Sequence, residues 1–419
     1  MKRLLVLSLA LLASSIGAQE AFSDAATAGN EALDRGEYLR ALTIFKAAAL
    51  KSDGTIADEG AFQAWEQALP MVAGELPVGG LRPRSGEAPS PDPEMLAQLR
   101  SAIPHDAVAE IVARARSTRI VVLNEAHLSP RDRAFGLGLA RALKPLGYTI
   151  LAAEAFNNDV DPGPKTPLGK LARDGIVRQS TGSYTGDPVF AAFVREAMAL
   201  GYAPAAYDWR FDQFPKATAS REESIAVREE AQAQNIRTAL LRSDPKAKVL
   251  IYVGYSHVAE EPMESRTGGK SLWMAGRLKR LTGIDPLTID QTTLVDTAPS
   301  VAAAYSIASA HVTRPSALFA AGIPLVVGQY AGRVDLQIVH PHRTYHYGRP
   351  GWLSALGGRP LAIPATLLPT QGQRLVQAFA VGAPKDAVPL DQVLVEAGKT
   401  APMLLVPPGK VRFAVQDPN

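Results

Sequence analysis

The chain has 419 residues, of which 47% are hydrophobic and 20% charged. That is enough apolar material for one large domain or two to three modest ones without covalent staples. It contains no cysteine, which excludes disulfides, thiolate metal ligands, a cysteine nucleophile and a lipoprotein anchor. Its 44 basic and 41 acidic residues form no basic block, so nothing points to nucleic acid or an anionic membrane as partner.

Met1-Lys2-Arg3, the apolar run Leu4 to Leu12 and the small-residue stretch Ser14 to Ala18 read as a secretory signal peptide over residues 1–18. A periplasmic or secreted protein is therefore expected. No later stretch reaches about 18 residues without charge or proline, so no membrane span is expected. Residues 19–75 are rich in alanine, and Gly36 falls between two helical patterns, the signature of a tetratricopeptide-like helical hairpin. A free-standing solenoid needs at least about three such units. A single one either docks on the main domain or recruits a protein partner. Residues 76–103 are dense in Pro and Gly and read as a linker.

From 104 to 298 strand and helix patterns alternate. Strands are expected at Arg119–Asn124, Thr149–Ala153, Ala203–Tyr207, Lys248–Gly254 and Pro286–Ile289. Helices are expected from Ser129-Pro130 to Leu146, over Pro188–Leu200, over Glu222–Arg242 and near Leu272–Leu281. Such alternation implies an α/β fold with a mostly parallel central sheet, right-handed crossovers and flanking helices. The excursion Phe156–Asp187, rich in Gly, Pro, Asp and Thr, suits a lid or pocket wall. Residues 299–419, with short runs at 323–327, 334–339, 403–406 and 411–415, read as a β-rich C-terminal extension.

In open α/β sheets ligands bind beyond the carboxyl ends of the strands. Those ends carry Glu125 and His127, Glu154, Asp208 and Arg210, and His257. Carboxylates and imidazoles gathered on one edge can position a water and take its proton, or hold a divalent metal. On the helix before the last histidine strand, Arg228, Gln232 and Asn235 are spaced to share one face, from which they can orient a carboxylate or a substrate carbonyl. His127 has its own carboxylate two residues away and is the better candidate base. His257 follows a glycine turn and is the better helper or ligand. A second cluster, His340-Pro-His342 with His346, puts its first two imidazoles on one face of a strand. The intervening proline and the lack of a nearby carboxylate make it a structural or substrate-contact loop. Thr267-Gly-Gly-Lys-Ser271 echoes a phosphate loop but lacks the earlier glycine and the preceding strand. His105 and His311 receive no role.

Taken together, Asn124-Glu125-Ala126-His127, Ala153-Glu154-Ala155-Phe156, Arg228-x6-Asn235 and Gly254-Tyr-Ser-His257-Val258 resemble the erythromycin esterase/ChaN-like superfamily, to which Tiki and TraB-type proteins are related. The resemblance covers about residues 115–260. It implies a hydrolase acting on an ester, lactone or amide of a small-molecule substrate. By it His127 is the base, Glu125 and Glu154 orient the base or the water, and His257 polarises the substrate or assists proton transfer. Arg228, Asn235, Asp208 and Arg210 are then substrate-binding candidates. Tiki-type members imply instead a metal-dependent hydrolase, with His127, Glu154 and His257 as ligands. ChaN-like members imply a haem- or iron-binding protein without turnover, with Tyr184, Tyr207 or Tyr255 as candidate axial ligands. The chain departs from the family in having Asn124 where a glycine is usual, which narrows the turn. The Glu125-x-His127 spacing is that of the ChaN-like members.

Overall fold

A computed structural model describes residues 24–82, 92–216, 218–243, 246–264 and 269–418. Residues 1–18, expected to be a signal peptide, and part of the Thr267–Ser271 patch lie outside the described residues. The helices are α1 (Asp24–Asp34), α2 (Tyr38–Ala49), α3 (Glu59–Ala73), α4 (Pro93–Ser101), α5 (Ala107–Arg114), α6 (Pro130–Leu143), α7 (Pro167–Asp174), α8 (Pro188–Ala199), α9 (Arg221–Ser243), α10 (Met274–Thr282) and α11 (Ala302–Ser309). The main sheet contains β1 (Ile103–Asp106), β2 (Ile120–Glu125), β3 (Tyr148–Ala153), β4 (Ala203–Ala206), β5 (Lys248–Gly254), β6 (Leu287–Asp290), β7 (Ser316–Ala320), β8 (Ile323–Pro324) and β9 (Leu336–Val339). Among the described residues no helix is long and apolar enough to cross a membrane.

The sheet runs β1-β7-β9-β6-β2-β5-β3-β4, with β8 paired to β7. The pairs from β9 to β4 are all parallel, and β1, β8 and β9 meet β7 antiparallel. This is the expected α/β class. β2 and β5 are buried on both faces, which is why their sequences are nearly continuous β-branched runs. Alternate residues divide between two cores. Val121, Leu123, Leu250 and Tyr252 pack with Phe135, Leu139 and Leu143 of α6 and Phe190 and Phe193 of α8. Ile120, Val122, Val249 and Ile251 pack with Ala233 and Ile236 of α9 and Met274 and Leu278 of α10.

Residue 298 is not a boundary of this sheet. β7 and β9 come from the segment read as an extension, and β9 lies directly beside β6. The reason is local: Ala317, Phe319, Leu336 and Ile338 are apolar alternates that complete the α6-side core. The rest of that segment forms smaller sheets, including an antiparallel trio of Asp391–Glu396, Gln373–Ala380 and Val411–Gln416. The expected linker contains helix α4, started by Asp92 accepting from the Glu94 amide and by Pro93 in the first turn. The N-terminal hairpin gains a third helix, α3. Tyr38, Leu39, Met71 and Val72 pack with Leu375 and Leu394 of the C-terminal trio.

A chain truncated after Ala298 is therefore expected to lose cooperative unfolding, because β7 and β9 leave with part of the main core. A urea titration followed by circular dichroism checks this. A two-state transition from the truncated chain would show instead that 104–298 folds by itself.

Candidate active site

β2, β5, β3 and β4 are neighbours in register, so the residues just past their ends meet at one edge. Glu125 closes β2, and His127 lies two residues on, in the turn. The His127 Nδ1–Glu125 Oε1 separation is 3.0 Å. Burial pushes the Glu125 carboxyl up, but Arg133 and His127 outweigh it and leave it below its ordinary value. An ionised carboxylate only accepts, so Nδ1 donates to it. Arg133 of α6 fixes this arrangement. It donates to Glu125 Oε2 at 2.8 Å, to the His127 carbonyl at 2.8 Å and to Asp187 at 2.8 Å. Tyr252 of β5 adds a hydroxyl donor to Glu125 Oε2 at 3.1 Å.

Glu154, immediately after β3, is the second carboxylate. Its Oε2 accepts the Gly254 amide at 2.6 Å, and its Oε1 accepts Arg228 Nη2 at 2.6 Å. Arg228 also clasps Asp208 in a two-pronged pair at 2.9 and 2.8 Å. Gln232 donates to the same Asp208 at 2.9 Å. Burial raises Asp208, but Arg228 and Gln232 bring it below its ordinary value. His257 sits behind Glu154. Its Nδ1 lies 2.8 Å from Glu229 Oε1, and its Nε2 is 3.4 Å from Glu154 Oε1, an ion pair without hydrogen-bond alignment. Burial alone would lower His257, but Glu229 and Glu154 outweigh that and hold it above its ordinary value.

A cavity of about 10 Å³, room for roughly one water, opens between these groups. It is lined by Glu125, His127, Glu154, Tyr184, Tyr252 and Gly254, among others. A Cβ at Gly254 would stand 2.6 Å from His127 Nε2 and 3.1 Å from Glu154 Oε2. Only glycine lets the imidazole and the carboxylate approach the same point. Tyr184 stacks flat on the His127 ring with centroids 4.4 Å apart, and Tyr255 meets its edge at 5.1 Å. Both tyrosines hold left-handed backbones, φ 56° and 40°.

The residues expected at the site thus gather, but into two layers. Glu125, His127 and Glu154 line the cavity. His257, Arg228 and Asp208 form a buried layer that holds Glu154 and do not line it. Arg210 donates to Asn235 Oδ1 at 3.0 Å, and the Asn235 amide binds the carbonyls of Tyr207 and Asp208, so this pair fixes the turn after β4. The stripe on α9 orients carboxylates, in keeping with its spacing. Asn124 points away from the cavity, to Asp290 at 2.8 Å and the Tyr255 carbonyl at 3.1 Å, and so takes no room from it. Tyr207 is fully buried, with its hydroxyl donated to the Tyr252 carbonyl.

A divalent metal does not fit His127, Glu154 and His257. Arg228 already neutralises Glu154, and both nitrogens of His257 face carboxylates. Among the described residues no group of three or more His, Asp or Glu side chains is placed to hold a metal ion. The second histidine cluster also separates. His340 is buried against Phe135, 3.0 Å from Gln291 Oε1, whereas His342 and His346 are exposed. Arg133, Glu229 and Tyr252 join this cluster although the sequence patterns do not single them out. Of the three, only Arg133 carries a local signal, six residues beyond His127 in the first turn of a helix.

No family model and no curated protein matches the chain. Among solved structures, two described as bacterial protein toxins align with it. One is 19% identical over 44% of this chain and 37% of its own, TM-score 0.31. The other is 14% identical over 60% and 55%, TM-score 0.34. RRSP, a MARTX toxin effector domain from Vibrio vulnificus CMCP6, is 14% identical over 60% of this chain and 54% of its own, TM-score 0.33. In each case the match spans less than two thirds of that protein's chain.

The raised His257 makes a signed prediction. Its folded-state value lies above the ordinary imidazole value. The resulting stability is fully present below that ordinary value and is lost as pH rises through the folded one. His257→Gln is therefore expected to destabilise the protein more at pH about 5 than at pH about 9. Urea unfolding of both proteins at the two pH values checks it; an equal loss at both would remove the charged imidazole.

Proposed function

We propose that this protein is an exported hydrolase that activates water with His127 to cleave an ester, lactone or amide. One observation carries the reading: an imidazole whose Nδ1 is held by an ionised, Arg-clamped carboxylate while its Nε2 faces a small cavity beside a second carboxylate. In a His–carboxylate pair of this kind the acid fixes the tautomer and stabilises the imidazolium that forms. Water in the cavity, oriented by Glu154 Oε2, would lose a proton to His127 Nε2 as its oxygen bonds to the substrate carbonyl carbon. The protonated His127 would then return that proton to the leaving oxygen or nitrogen as the carbonyl bond to it breaks. Glu125 stays ionised throughout. The resemblance to the erythromycin esterase/ChaN-like superfamily supports the same roles. No observation favours the haem- or iron-binding alternative: Tyr207 is committed to a backbone carbonyl, and Tyr184 and Tyr255 pack on His127.

The test is cleavage of an activated aryl ester by the purified protein. His127→Gln is expected to lower turnover by about 10²–10⁴-fold, and Glu125→Gln by on the order of 10²-fold or more, both with unfolding midpoints showing a folded protein. Undiminished cleavage by folded His127→Gln removes the proposed base. A Soret band in the native protein without ester cleavage would replace the reading with haem binding.

A further inference from the structure

We propose that Tyr38, in the first turn of the N-terminal helix α2, is a positioning residue for the site, holding the Tyr184 turn closed over His127. The turn Gly182–Asp187 is internally tight: Thr185 Oγ1 donates to the Gly182 carbonyl at 2.7 Å and the Asp187 amide to the Tyr184 carbonyl at 2.9 Å. Its inner side is seated on the site. The Asn157 amide donates to the Thr181 carbonyl at 3.1 Å, Gly182 packs against the Ala155 carbonyl with no room for a Cβ, and Asp187 receives Arg133. On its outer side Tyr38, only 1% exposed, donates its hydroxyl to the Gly186 carbonyl at 2.6 Å. The same hydroxyl accepts Gln179 Nε2 at 2.8 Å. One oxygen, 148 residues away in sequence, thus ties both limbs of the turn that carries Tyr184. The helical hairpin is then a part of the site and not a separate recruiting module.

The effect on rate rests on His127 as the base; the test of the tether does not. The ring C–H resonances of His127, assigned by their loss in His127→Gln, are expected to lie upfield because Tyr184 is stacked on that ring. Tyr184→Leu supplies their unstacked position. In full-length Tyr38→Phe, and in Gln179→Leu as the second variant, these resonances are expected to move downfield toward that position, and kcat to fall with little change in KM. Folded Tyr38→Phe and Gln179→Leu with His127 resonances at their wild-type positions would overturn the proposal. So would variants that only unfold, since Tyr38 would then carry stability alone. Moved resonances with no ester cleavage in the wild type would keep the tether and sink the hydrolase reading.

Discussion

The site depends on two guanidiniums, each shared between two buried carboxylates. Arg133 joins Glu125 to Asp187, and Arg228 joins Glu154 to Asp208. Removing such ions from water costs several kcal/mol each even after relaxation, and a buried pair is tolerated only with good geometry and every lone pair served. These pairs meet that condition: the ion-pair contacts lie between 2.6 and 2.9 Å and come with amide, hydroxyl and backbone donors. The two arginines come from helices on opposite faces of the sheet, α6 and α9, so the same contacts also pin both helical layers to the strand ends. Loss of either cation would leave two uncompensated carboxylates, a change of about 3–5 kcal/mol for one broken pair.

The charge at this edge is nonetheless unbalanced. Six buried carboxylates, those of Glu125, Asp132, Asp187, Glu154, Asp208 and Glu229, stand against these two guanidiniums. Glu154 and Glu229 hold His257 above its ordinary value, and burial raises Asp187, with Arg133 opposing. His127, with one nitrogen on Glu125 and the other over Gly254, lies at this edge. In the proposed reaction a proton passing to it would meet charges and dipoles already in place, with no reorganisation to make.

The strand ends were legible because parallel-strand geometry is written in the chain. Burial on both faces forces continuous β-branched runs, and the residues just after each run must be at the sheet edge. That reasoning brings Glu125, His127, Glu154, Asp208 and His257 together from the sequence alone. Helix orientation was less legible. Arg228 is detectable because Gln232 and Asn235 share its stripe, whereas Glu229 lies one residue on, about 100° around the helix, and reads as ordinary surface charge. His257 was expected to face substrate. It turns into Glu229 because the helical turn after Gly254 rotates it away from the cavity, a detail of backbone angle that periodicity does not encode. The C-terminal region is β-rich as its short apolar runs imply, but which sheet each run joins is not legible: β7 and β9 are five and four residues long, and a short apolar run looks the same whether it joins the main sheet or a satellite one.

The cavity over His127, about 10 Å³, has room for roughly one water and lies far below the roughly 300 Å³ at which pockets begin to enclose drug-sized ligands, so with the turn as it stands it admits a water and not a substrate. Stacking of Tyr184 on His127 contributes about 0.5–1.5 kcal/mol, and the Arg133 guanidinium lies 5.9 Å from the Tyr184 ring centroid; both act against a left-handed backbone that costs on the order of 1–3 kcal/mol. The turn is then kept shut by the set of hydrogen bonds at its flanks, each worth about 0.5–1.5 kcal/mol net. The Arg133–Asp187 contact keeps the foot of the turn in place, so the base is oriented by buried charges and covered by a ring that the turn itself carries.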